Sequence, residues 1–366
     1  MKSPFLPLSL AAAALLVACH KEPSGESQSD SSPGSRPAKT EEHIDPEEKA
    51  LAAKLVPAKD PVSQEINAAN LKTRQNYNSR RFDELEKEAA GLRASQETFG
   101  NGSWKIAQFH ESLECDTKEP ESMWQLHDKI HQEWIATKPD SATARVAYAQ
   151  FLISYAWHAR GSGYADTVSK EGWRLFGERL DAALKVLMEA RGIKEKDPCL
   201  WLNMLTVALG QGWDAAAYDK LMKEAHAAEP KFWGYDTSRA YSLLPRWHGE
   251  PGDWEAFAAQ VSARPEGPGI EVYARIVFRL RGFYDNVFRE TKASWPKTKE
   301  GLNVLLERYP DSLGLQNEAA LLATMAEDRP AAKAWFDKIG DRYLPSVFRN
   351  PERFVHYRHW AETGQW

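Results

Sequence analysis

Residues 198–230 read PCLWLNMLTVALGQGWDAAAYDKLMKEAHAAEP, and two helices are legible in them. Asp197 stands before Pro198 as a cap, and proline is tolerated in a first helical turn. Leu202, Leu205 and Leu209 recur at threes and fours, and Tyr218, Met222 and Ala225 do so again after Gly210-Gln211-Gly212. The same spacing runs outward along the chain. It makes a hairpin of residues 66–92 about the turn Asn78-Ser79-Arg80, and it marks segments 124–135, 144–159, 175–190, 272–280, 302–309, 315–325 and 331–339. Alternating strand patterns are missing, so the fold class is all-α.

Pro198 and Pro230 stand 32 positions apart, near the period of a tetratricopeptide unit, and the apolar positions between them sit near its inter-helix contacts. A second unit runs through residues 311–339 with Leu315, Ala319, Leu322, Ala332, Trp335 and Phe336, and a third ends at residues 178–191 with Ala183, Leu187 and Ala190. Insertions at residues 161–172 and 265–269 break the period. The expected architecture is an α-solenoid of tetratricopeptide-like stacked helical hairpins, irregular in repeat and carrying inserted loops.

The amino end reads differently. Met1-Lys2 and the mostly apolar run 5–18 form a secretory signal, too short to span a ~30 Å hydrocarbon core. Its end, Leu16-Val17-Ala18-Cys19, looks like a bacterial lipobox, which makes Cys19 the expected site of diacylglycerol attachment. His20 in place of aspartate resembles the sorting signal of an outer-membrane lipoprotein in a Gram-negative host. Residues 20–50 hold eight acidic and four basic residues, six serines and four prolines, a composition that does not repay ordering. The expected organisation is a signal peptide at 1–18, the lipidated cysteine with a flexible acidic linker at 19–50, and a helical body at 51–366.

Composition narrows the function classes. At 42% hydrophobic the chain buries a sizeable core, while a net charge of −5 gives no footprint for nucleic acid. A mean hydropathy of −0.58 excludes a polytopic membrane protein. Three cysteines are too few for a disulfide scaffold, and the choice between a Cys115–Cys199 bond and two free thiols stays open. No Gly-x-x-x-x-Gly-Lys-Ser/Thr, Gly-x-Ser-x-Gly or Cys-x-x-Cys occurs.

Two segments depart from the repeat grammar: residues 155–164, with Trp157, Arg160 and Tyr164, and residues 244–254, with Arg246, Trp247, His248, Asp253 and Trp254. With Phe99-Gly100-Asn101-Gly102-Ser103-Trp104 and Gly210-Gln211-Gly212-Trp213, these runs resemble a bacterial helical family catalogued as a domain of unknown function, DUF4034. The resemblance covers most of residues 60–360. It implies an all-helical tetratricopeptide-like body and brings no catalytic residue, cofactor or metal.

Three uses of the residues follow. The first is a non-catalytic scaffold for a protein or peptide, tethered to the membrane through Cys19. Loops that break a solenoid are where function is added, so Trp157, Arg160, Tyr164, Arg246, Trp247, His248, Asp253 and Trp254 are the candidate binding residues. Arg160, Tyr164, Arg246, Trp247 and His248 are expected to border a common cleft that takes a peptide or an acidic group. The alternative is a glycan-binding or glycan-cleaving envelope protein, with indoles of the 247–254 corner stacking on sugar and His248, Glu250 and Asp253 as acid and base. Against it, Pro245, Gly249, Pro251 and Gly252 read as turn residues, with Asp253 capping the helix that follows. The third is a metal enzyme using His127 and His131, four apart on a helix, with Glu133 nearby. There Asp128 stands where a zinc protease needs glutamate, and a helix-surface role is the expectation for both imidazoles.

Overall fold

The structure is a computed structural model that describes residues 45–366 apart from Ser162, Tyr164 and His248. The expected signal peptide, Cys19 and nearly all of the expected linker, like Tyr164 and His248, lie outside the described residues. Among the described residues the fold is all-α, and the one extended pairing is an isolated bridge between Thr98 and Trp104. No described helix is long and apolar enough to cross a membrane.

The helices are α1 (Pro46–Ala52), α2 (Pro61–Asn78), α3 (Phe82–Ser95), α4 (Lys105–Glu111), α5 (Glu121–Thr137), α6 (Ala142–Arg160), α7 (Lys170–Gly192), α8 (Pro198–Gln211) and α9 (Ala215–Ala228). They continue as α10 (Gly234–Ser242), α11 (Asp253–Ser262), α12 (Glu271–Leu280), α13 (Val287–Glu290), α14 (Trp295–Arg308), α15 (Leu313–Met325), α16 (Arg329–Ile339), α17 (Pro345–Phe348) and α18 (Pro351–Thr363). Capping explains many of the starts. Asp197, Asp214, Ser294, Ser312 and Asp328 each accept a backbone N–H of the first turn of α8, α9, α14, α15 and α16.

Ordered structure begins before residue 51. Asp45 accepts the Glu47 N–H at 2.7 Å ahead of Pro46, and α1 packs on α18 with Glu48 and Ala52 buried. Glu48 Oε2 lies 3.0 Å from His356 Nδ1, both side chains buried. The body therefore includes residues 45–50, because the acidic end of the expected linker has a partner 308 positions away.

Neighbouring helices close a circuit: α2 touches α4, α4 touches α8, and the series continues through α10, α12, α14 and α15, which touches α2 again. The stack of hairpins thus bends until its ends meet. Two apolar clusters fill it, one from Tyr77 to Tyr235 and one from Ala52 to Ala361, and Trp233 and Phe257 pack against both.

The loop 96–104 is wedged inside this circuit. The Trp233 indole donates to the Gly102 carbonyl at 3.0 Å, Arg275 of α12 donates to the Asn101 carbonyl at 3.4 Å, and the Thr98 and Tyr309 hydroxyls are 3.3 Å apart. Gly102 sits at φ +78°, and a Cβ there would lie 2.2 Å from Arg275 Nη2, so the position needs glycine on two counts.

Candidate functional site: a ring of acids and aromatics

The short helix α4 buries Ile106, Phe109 and His110, which leaves Glu111 on its partly exposed side. The chain then turns with Leu113 N–H donating to the His110 carbonyl at 3.1 Å, which sets Glu114 beyond Glu111. Arg74 of α2 steadies this turn by donating to the Ser112 carbonyl at 2.8 Å.

Helix α6 faces Glu114. It is buried at most positions, but Gln150, Ser154 and Trp157 form a partly exposed stripe at spacings of four and three. Gln150 Nε2 donates to Glu114 Oε1 at 2.6 Å, and Ser154 Oγ donates to Oε2 at 2.7 Å. One turn on, the Trp157 ring meets the Trp247 ring edge to face at 5.9 Å. Trp247 packs on Tyr241 at 5.8 Å, and the Arg279 guanidinium of α12 lies 5.5 Å from the centre of the Tyr241 ring. Arg279 and Glu111 feel each other's charge, which completes the ring.

Enclosure sets the charge states. Burial, then the charge of Glu114, pushes the Glu111 carboxyl up to about 8, against the pull of Arg279 and Gln108. Glu111 therefore holds a proton at neutral pH. Burial also raises Glu114, although Gln150 and Ser154 stabilise its anion, and it lowers Arg279.

The structure brings four of the expected binding residues together. Trp157 and Trp247 belong to the ring itself. Arg160 lies 5.5 Å from the Trp157 ring and 5.3 Å from that of Trp173, while Arg246 lies 5.8 Å from Trp247 and 5.3 Å from Phe283. Asp253 and Trp254 do not join them. Trp254 is buried in the core, its indole donating to the Tyr284 hydroxyl at 3.1 Å. Asp253 is the first residue of α11 and not its cap; Gly252, at φ +105°, takes the cap, and Asp253 Oδ2 accepts the Glu250 N–H at 2.8 Å.

His127 is partly exposed, but the second imidazole is not on the helix surface. His131 is fully buried among the rings of Tyr77, Tyr148 and Phe151 at 5.0–5.7 Å, and burial, then His127, holds it well below the usual histidine range. Glu133 is exposed and pairs with Arg80, while Asp128 accepts from Tyr148 and Gln132. Another group of donors that a metal needs, His110, Asp197 and Cys199, is buried and already partnered. Asp197 lies 2.9 Å from His110 Nε2 and 3.2 Å from Arg93, and accepts the Cys199 N–H. Burial opposes its charge, but His110 and Arg93 still hold it below the carboxylate range. Burial, then Asp197, drives the Cys199 thiol well up, which works against a thiolate ligand. Cys115 and Cys199 are separate buried thiols.

No family model matches the chain, and neither a curated protein nor a solved structure matches it. The resemblance to DUF4034 rests on the tryptophan-glycine runs alone.

Proposed function

We propose that this chain is a lipid-anchored protein of the bacterial envelope, on the periplasmic face of the outer membrane in a Gram-negative host, whose helical body binds a protein or peptide without catalysing a reaction. The signal and the lipobox at Cys19 support the address, and the acidic stretch after it supports a tether. The ring supports binding, and one observation carries it: side chains from α4, α6, α12 and the two loop-bearing segments meet around partly exposed Glu111, Gln150, Ser154 and Trp157.

The pair of acids also favours the second use, glycan binding or cleavage, with Glu111 as a proton donor; of the two indoles in the 247–254 corner Trp247 reaches the ring and Trp254 is buried. Crosslinking in intact envelopes with the lipidated protein separates the two. A protein or peptide recovered with the wild type and lost with Ser154→Phe, which fills the ring, supports the scaffold. Glycan recovered alone moves the assignment to the second use.

A further inference from the structure

Helix α5 presents a row of rings to the body. Trp124, His127, His131 and Trp134 follow one another at spacings of three and four, and they meet Tyr77 of α2, Phe82 of α3 and Phe151 of α6. Two imidazoles thus stand in the middle of an aromatic seam, both against the Tyr77 ring, at 5.4 and 5.0 Å. His131 is fully buried, while partly exposed His127 gives the seam a side open to water.

Three other enclosed histidines are placed differently. His110 has Asp197 at 2.9 Å, His226 has Asp236 at 2.8 Å and His356 has Glu48 at 3.0 Å. A carboxylate at that distance favours the charged imidazole. Among the described residues neither His127 nor His131 has one, and both ring nitrogens of His131 and Nδ1 of His127 are buried without a hydrogen-bond partner. The charged and titratable groups around the seam do not make up for it. Asp128, on α5 itself, is taken by the Tyr148 hydroxyl of α6 and by Gln132, Glu133 pairs with Arg80, and Glu86 of α3 accepts from the Trp134 indole. Arg74 and Tyr77 face the seam from α2, His110 from α4, Cys115 from the loop after it, and His158 of α6 stacks on Trp124 at 4.5 Å. Burial holds both imidazoles below the usual histidine range; the Leu113 carbonyl pulls the other way, while Arg74 adds to the effect on His127, and His127 and His110 add to that on His131.

We propose that α5 is an acid-released flap: protonation of His127 and His131 lifts it from α2 and α6 and loosens the turn that carries Glu111 and Glu114. The helix suits local opening, because Gln125, Leu126, Lys129 and Gln132 are exposed along its outer face and Pro120 gives its start no side-chain cap. The link to the turn is the Leu113 carbonyl, which lies near both imidazoles. A histidine in water titrates at 6.5. Below that value the opened seam takes up protons that the closed seam refuses, so acid favours opening by up to about tenfold per pH unit for each ring; above it both states are neutral and pH has no effect through these groups. The flap does not depend on the peptide binding proposed above.

The test is hydrogen exchange of the full-length protein, read by mass spectrometry at pH 7.5 and 5.0 and corrected for the chemical exchange rate at each. Peptides from α5 and from residues 109–115 are expected to lose protection at pH 5.0, those of α5 by about tenfold or more, while α15 keeps its own. His127→Phe and His131→Phe put a ring that does not titrate into the same seam, and together they are expected to make α5 equally protected at both values. Should the pair of substitutions prevent folding, His127→Phe alone, at the partly exposed position, is expected to shrink the loss. Unchanged protection of α5 at pH 5.0, a loss shared by α15, or the same loss in His127→Phe as in the wild type overturns the flap. A loss in α5 with residues 109–115 still protected overturns its link to the turn.

Discussion

Glu111→Gln is expected to make the protein more stable, by an amount that depends on pH. A glutamate in water titrates at 4.5, and Glu111 in the fold titrates at about 8. Between those values the folded protein keeps a proton that the unfolded chain has released, so the unfolded state binds fewer protons and stability falls as pH rises. The slope for one group is about 1.4 kcal/mol per pH unit. Over the whole interval the wild type loses about 5 kcal/mol, a large share of a stability of about 5–15 kcal/mol. Glutamine imitates the protonated acid and does not titrate. The variant and the wild type should thus be nearly equal at pH 4.5, the variant should lead by about 3 kcal/mol at pH 7, and the lead should level off above pH 8. Urea unfolding followed by circular dichroism, for both proteins from pH 4.5 to 8.5, measures this difference directly. Glu114 is present in both and cancels except for its coupling to Glu111. Parallel curves would refute the placement of Glu111 in an enclosed site.

Other outcomes follow from named contacts. Cys19→Ser should leave an unprocessed or soluble precursor, and membrane fractionation with acyl labelling checks it; unchanged labelling contradicts the anchor. Cutting the chain before Asp45 should leave the thermal transition where it is, whereas cutting after Ala52 removes Glu48 from buried His356 and should cost about 3 kcal/mol. Trp254→Ala should lower stability by about 3–5 kcal/mol in chemical denaturation, as for a fully buried core indole. Gly102→Val should lower the melting temperature, since φ +78° and the approach of Arg275 leave no room for a side chain.

Helices with long apolar stripes were legible in the sequence, because α6 to α9 and α14 to α16 carry three or more turns of spacing each. Shorter ones were not. Helix α4 spans seven residues, and its signal, Ile106, Phe109 and Leu113 at spacings of three and four, is easily read as part of the loop before Cys115. With α4 unread, Glu111 and Glu114 had no helix face to share, and the acids of the ring went unnoticed. The aromatic half was easier to find: glycine and proline punctuate the loops around Trp157 and Trp247, and those loops interrupt the repeat. Trp254 was misplaced for the opposite reason. It follows Trp247 by seven residues, but the left-handed Gly252 turns the chain before α11 and sends the second indole into the core. Closure of the circuit through α2 and α15 depends on contacts between residues some 240 positions apart, which no local pattern records.

The central claim is that the ring around Glu111, Ser154 and Trp157 is where this protein meets its ligand. The most direct measurement places a photoreactive phenylalanine analogue at position 154 of the full-length protein in intact envelopes, with position 126, an exposed leucine on α5, as the control. The account predicts a discrete crosslinked peptide or protein from position 154 and none from position 126. The same product from both positions, or no product from position 154, would contradict it.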